Sequence, residues 1–130
     1  MSEILIDTSI WIDYFRGKSV ADHLSDLIDQ NRIAVNDLIL AELIPSINQR
    51  KERRLKDLLL SIRNVALSID WPRIIEMQTR NLKSGHNGIG IPDLIIAQNA
   101  IGNRLVLFEN DKHFLPMTEL FGLQLFRSRE

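Results

Sequence analysis

Short runs of consecutive apolar residues alternate along this chain with stretches in which apolar positions recur every three or four residues. Ile4-Leu5-Ile6 is the first run, β-prone and ending at Asp7, and it predicts a strand. Thr8 or Ser9 is then expected to cap a helix carrying Ile10, Trp11, Tyr14 and Phe15, which Gly17 stops. Val20 to Gln30 predicts a second helix with Leu24, Leu27 and Ile28 on one face, and Ile33-Ala34-Val35 a second strand. Asp37 is expected to cap a helix through Leu38 to Leu43, which Pro45 should kink or end because its ring removes a backbone donor. Arg50 to Ile62 has the clearest helical stripe, with Leu55, Leu58, Leu59 and Ile62 on one face.

Val65-Ala66-Leu67 predicts a third strand, and Asp70 before Trp71-Pro72 a helix start, since proline is tolerated in the first turn. That helix should reach about Leu82. Gly85, Gly88 and Gly90 mark a loop, and Asp93 to Ile101 is apolar almost all round, so it is expected to be a buried helix. Arg104 to Phe108 and Leu123 to Phe126 predict a fourth and a short fifth strand.

Strands separated by helices predict a three-layer α/β fold. Its sheet should be mainly parallel, of four to five strands, with helices on both faces. A length of 130 residues suits one domain, 1–130, able to bury a core without disulfides. The chain has no cysteine, which excludes a disulfide scaffold, a thiolate metal site and a cysteine nucleophile, and agrees with a reducing compartment. Met1-Ser2-Glu3-Ile4 lacks the basic region and long apolar stretch of a secretory leader. The most apolar run, Leu38 to Ile44, contains Glu42 and is far shorter than the ~20 residues of a membrane span, so a cytoplasmic location and no membrane partner are expected.

A formal net charge of −1 gives no reason to expect a polyanionic partner, but the charge is unevenly placed. Residues 1–42 hold eight acids and three bases, residues 43–83 four acids and nine bases, and residues 84–130 five acids and four bases. The basic middle includes Arg50, Arg53 and Arg54. These read first as a solvated helix face, and second as contacts to an RNA backbone or to acidic residues of a partner protein.

Topology places Asp7, after the first strand, and Asp111, just past the fourth, at the same sheet edge, where open α/β sheets bind ligands. Glu42 lies among apolar neighbours, where an ionised carboxylate is costly without a partner. Asp93 opens the most apolar helix, whose free backbone N–H groups favour a negative charge. Singly, Asp7 reads equally well as a turn residue, and Asp93 and Asp111 read more simply as helix caps. Together, four acids at one edge repel unless a cation lies among them. A carboxylate set without thiolates or a histidine pair selects Mg²⁺ or Mn²⁺. His113, between Lys112 and Phe114, reads first as a surface or turn residue and second as a phosphate contact, and the isolated His23 and His86 read as surface or turn residues. The Gly85 to Gly90 loop fails as a dinucleotide fingerprint and no Walker A sequence is present, so no nucleotide cofactor is expected.

Ile4 to Gly17, Leu40-Ala41-Glu42-Leu43, Ile91 to Ala97 and Asn110-Asp111-Lys112-His113-Phe114 resemble, in order and spacing, the four motifs of the PIN domain, and within it the VapC-type toxins of toxin–antitoxin pairs. The resemblance implies a PIN-like fold and an endoribonuclease dependent on one or two Mg²⁺ or Mn²⁺ ions, with Asp7, Glu42, Asp93 and Asp111 as the acidic quartet. It also implies that Ser9 supports the first aspartate, that the chain forms homodimers, and that a cognate antitoxin inhibits it. The family commonly has Thr or Ser where Glu109 stands, so Glu109 and its neighbour Asn110 are candidate supporting residues, and Lys112 a candidate contact to RNA or antitoxin. Two rival classes remain open on the residues alone: an aspartate-based phosphotransfer or phosphohydrolase domain, and a non-catalytic module that binds RNA or protein. Ser9 stands where the haloacid-dehalogenase type would need a second aspartate.

Overall fold

The computed structural model describes residues 3–126, apart from the side chain of Ala21. The outermost residues of the 1–130 domain, including Met1 and Ser2 of the segment read for a leader, lie outside the described residues. Four parallel strands, β1 (Ile4–Ile6), β2 (Ile33–Val35), β3 (Arg63–Asn64) and β4 (Val106–Phe108), form one sheet in the order β3-β2-β1-β4. Between β1 and β2 lie α1 (Thr8–Phe15) and α2 (Val20–Asp29). The next crossover carries α3 (Asp37–Arg50) and α4 (Arg53–Ser61), and α5 (Trp71–Lys83) and α6 (Ile91–Gly102) return the chain to β4. A 3-10 turn (Lys112–Phe114) and α7 (Leu115–Phe121) follow.

From β1 the chain steps outward twice, to β2 and β3, and then crosses back to β4 on the other side of β1. Right-handed crossovers therefore put α1–α4 on one face and α5–α6 on the other. The packing agrees: α1 meets α2 and α3, α3 meets α4, and α5 meets α6 and α7. β1 and β2 are buried at every position, as expected of strands covered on both faces, and α6 buries Leu94, Ile95, Ile96, Ala97 and Ala100. The direction of winding reverses between β1 and β4, so the crevice at their carboxyl ends is where a ligand would sit.

Several elements differ from the sequence expectation. Asp7, not Thr8 or Ser9, is the N-cap of α1, and Asn36, not Asp37, that of α3, because these side chains accept the backbone N–H two or three residues on. Pro45 does not end α3, which runs on to Arg50. Pro45 and Ala41 are both exposed, so the carbonyl that loses its helical partner can bond water. The stripe from Arg50 to Ile62 is not one helix: Lys51 adopts a left-handed conformation (φ 57°) and closes α3, and α4 starts afresh at Arg53.

The third strand is Arg63–Asn64 rather than Val65 to Leu67. It lies at the exposed sheet edge, where Arg63 pairs with Glu3, and Val65 adds one bond to the Val35 carbonyl (2.7 Å). The fourth strand starts at Val106, and Arg104 takes a left-handed turn instead (φ 55°). The expected fifth strand is reduced, among the described residues, to a parallel bridge of Leu125 with Leu107.

Candidate active site

β1 delivers Asp7 into the crevice. Its backbone N–H bonds the Phe108 carbonyl of β4 (2.9 Å), and its side chain is only 5% exposed. Oδ2 accepts from the Ser9 hydroxyl (2.6 Å) and the Ser9 N–H (3.2 Å), and Ser9 Oγ in turn accepts the Asn110 N–H (3.0 Å). One hydroxyl thus joins the turn after β1 to the turn after β4. Burial pushes the Asp7 carboxyl above its ordinary value. The Ser9 bonds oppose that push, and the charge of Asp111 adds to it.

Asp93 lies in the first turn of α6, where the Gly90 backbone bonds it as an N-terminal acid bonds back to its cap. It too is held above the ordinary carboxylate value, first by burial and then by the charge of Asp111. The Gly90 bond and His113 pull the other way, and Asp7 adds a further rise. Asp111 caps the 3-10 turn, its Oδ1 accepting the His113 N–H (2.9 Å), while its own N–H donates to Glu109 Oε2 (2.6 Å). The carboxylates of Asp7, Asp93 and Asp111 therefore share one electrostatic neighbourhood.

Glu42 does not share the burial expected for it. The buried positions of α3 are Ile39, Leu43 and Ile47, one turn apart, which turns Ala41, Glu42, Pro45 and Ser46 outward. An exposed carboxylate keeps its hydration, so the desolvation argument made from its apolar neighbours does not hold. Its link to the crevice is the Thr8 hydroxyl, which donates to Oε1 at 2.9 Å.

A family model for the PIN domain matches residues 4–119 of the chain. The chain belongs to the PIN domain family. PIN domains are in general nucleases. No curated protein matches the sequence. Solved structures with the same fold include VapBC-1 from nontypeable Haemophilus influenzae (25% identity, TM-score 0.68, covering 95% of this chain and 96% of that one). A toxin–antitoxin complex from Klebsiella pneumoniae matches at 23% identity and TM-score 0.64, covering 86% and 90%. DNA-bound VapBC from Salmonella typhimurium matches at 16% identity and TM-score 0.73, covering 97% and 98%.

Two residues of this PIN domain escaped the sequence reading. The Nδ1 atom of His113 lies 3.1 Å from Asp111 Oδ1 and 3.5 Å from Asp93 Oδ2. The signal was its position two residues after an aspartate, because the cap that Asp111 makes turns the backbone so that residue 113 comes back beside it. Asp13, a buried acid, accepts from Asn110 Nδ2 (2.7 Å) and pairs with Lys18 (3.4 Å). It stands four residues after Ser9, on the same face of α1.

The expected basic contacts are spread out. Lys112 borders a groove of about 630 Å³ with Ser9, Glu109, Asn110 and Asp111. Arg50 shares a separate groove of about 160 Å³ with Glu42, and Arg53 lines another of about 410 Å³. Arg54 is exposed on α4.

Proposed function

We propose that this PIN domain is a divalent-metal-dependent endoribonuclease of the VapC type, working in the cytoplasm as the toxin of a toxin–antitoxin pair. The observation that carries the reading is the meeting of Asp7, Asp93 and Asp111 at the carboxyl ends of β1 and β4, with Asp7 and Asp93 both resisting ionisation. Carboxylates held protonated first by burial and then by one another's charge fit a hard cation such as Mg²⁺ or Mn²⁺. In this reading Asp7, Asp93 and Asp111 hold one or two ions, with Glu42 at the rim. Such an ion, when bound, orients a phosphodiester, neutralises its charge and lowers the pKa of water.

The chain's own residues supply the positioning. Ser9 fixes the Asp7 rotamer, Asn110 ties Ser9 and Asp13 to the turn after β4, and Glu109 shapes that turn through the Asp111 N–H. Lys112, exposed beside the same groove, is suited to hold an RNA phosphate. The likeness to a toxin–antitoxin complex and to VapBC structures supports a cognate antitoxin as partner, and a homodimer is the expected assembly. The reading also takes residues 1–130 as one functional domain.

The test is incubation of the purified protein with structured and single-stranded RNA in Mg²⁺, Mn²⁺ or EDTA. Internal cleavage that needs the ion and is lost in Asp7→Asn and Asp93→Asn supports the assignment. Cleavage undiminished by EDTA or by either substitution overturns it.

A further inference from the structure

His113 is the one imidazole among the described residues that reaches the carboxylate cluster, and it arrives on a different element from Asp93. Asp93 comes from the first turn of α6, whereas Asp111 and His113 belong to the turn after β4. Donor atoms of the three residues all lie within 4.8 Å of one another. Nδ1 lies 3.1 and 3.5 Å from the two carboxylate oxygens, close enough for one ion to touch all three donors were it bound there.

The other ring nitrogen is also accounted for. A Cβ added at Gly88 would sit 3.5 Å from Nε2, so the glycine leaves that edge of the ring uncovered, facing the groove between the Gly85 to Ile89 loop and Lys112. A histidine that ligates through one nitrogen normally donates its other N–H to water or an oxygen acceptor, and this groove admits water. The backbone bonds hold the arrangement. His113 N–H is tied to Asp111 Oδ1, and the loop opposite is fixed by Gln78 Nε2 on the Ile89 carbonyl (2.6 Å).

We propose that His113 Nδ1 is a metal ligand alongside Asp93 and Asp111, and that this nitrogen donor makes the centre select Mn²⁺ over Mg²⁺. The inference rests on the carboxylates being a metal centre. Mg²⁺ is satisfied by oxygen and water and gains little from imidazole, whereas first-row transition ions bind imidazole well. Two hard carboxylates beside one nitrogen suit Mn²⁺, which accepts both.

The experiment uses the whole chain freed of metal by chelation, then titrated calorimetrically with MnCl₂ and with MgCl₂. Electron spin-echo spectroscopy of the Mn²⁺ protein reads out any directly bound nitrogen. The expected results are Mn²⁺ binding at least about tenfold tighter than Mg²⁺, and nitrogen modulation in the wild-type protein. In His113→Gln the modulation should vanish and the Mn²⁺ preference fall by about tenfold or more, with Mg²⁺ affinity changed little. The wild-type spectrum needs no variant, so a folding defect in His113→Gln leaves the test intact. Mn²⁺ bound without nitrogen modulation, or a preference unchanged in the variant, overturns the role of His113 and leaves the carboxylate centre standing. Absence of binding by either ion overturns both.

Discussion

The Ser9 hydroxyl stands 2.6 Å from Asp7 Oδ2 and at the same time accepts the Asn110 N–H, so a single oxygen couples the most buried acid of the crevice to the turn that carries Asp111. Ser9→Ala removes a donor from a carboxylate that burial already disfavours and leaves the Asn110 N–H without its acceptor. The expected loss is about 1–3 kcal/mol of stability, measured by urea unfolding, because a hydrogen bond to a charged group is worth more than a neutral one. RNA cleavage should fall with it, and Ser9→Thr, which keeps the hydroxyl, should restore most of both.

Asp7 and Asp93 both have carboxyls raised above the ordinary value, Asp7 chiefly by burial and Asp93 by burial and then by Asp111. A raised folded-state pKa means the folded chain binds the proton more tightly than the unfolded chain. The stability these two groups contribute is therefore fully present below the unfolded value of about 4 and is lost as pH rises through their folded values. Metal-free protein should unfold at lower temperature at pH 7 than near pH 5. Asp7→Asn, which retains an acceptor for Ser9, should raise Tm at pH 7 and flatten the profile. A wild-type Tm that climbs steadily from pH 5 to pH 7, unchanged in Asp7→Asn, would show that other groups dominate.

Saturating Mn²⁺ should reverse that penalty. At a concentration 100 times Kd, binding to the folded state alone stabilises by about 2.7 kcal/mol, enough to move Tm by several degrees in a domain of this size. Asp93→Asn should lose most of the shift in a thermal melt. An equal shift in the variant removes Asp93 from the ion's ligands.

Away from the crevice, Asn36 is fully buried and bonded at both ends, accepting the Ile39 N–H (2.9 Å) and donating to Asn99 Oδ1 (3.0 Å), while Asn99 Nδ2 reaches the Ala66 carbonyl (3.1 Å). This link fastens the start of α3 to α6, the helix that carries Asp93. Asn36→Ala removes the cap and strands the Asn99 oxygen, an expected cost of about 2–4 kcal/mol in chemical denaturation. Asn36→Asp, which keeps the cap acceptor but not the donor, should cost less than Asn36→Ala only if the cap outweighs the Asn99 bond.

Pro45→Ala is expected to stabilise the chain, by about 1 kcal/mol in urea unfolding. It restores an N–H to the middle of α3 at an exposed position, and the gain is reduced by the greater freedom of the unfolded chain. Destabilisation instead would mean that α3 needs the proline's shape where Glu42 approaches Thr8.

Asp7 and Asp93 could be found from the sequence because each stands at a position defined by local chemistry. Asp7 ends a β-prone apolar run and begins a helix, and Asp93 follows Ile91-Pro92 at the start of an apolar helix. The α/β alternation was readable for the same reason, since periods of two and of three to four residues are written in the chain itself. The break at Lys51 was not, because the helical spacing of Leu55, Leu58, Leu59 and Ile62 just after it extends back to Arg50 without interruption and nothing local demands a left-handed residue there. The exposure of Glu42 was hidden for a related reason: α3 presents only one narrow face to the core, and composition does not say which face.

The sequence by itself determined the α/β alternation, the order of most elements and the two acids at strand and helix ends, since these follow from backbone propensity, capping and periodicity within a few residues. Only the tertiary structure decided which groups meet. Crossing from β3 back over the sheet sets β4 beside β1, which brings Asp111, Asn110 and His113 against Ser9, Asp7 and Asp93 over separations of 18 to 104 residues. Contacts at such distances depend on strand order and helix packing, which no short window of residues encodes.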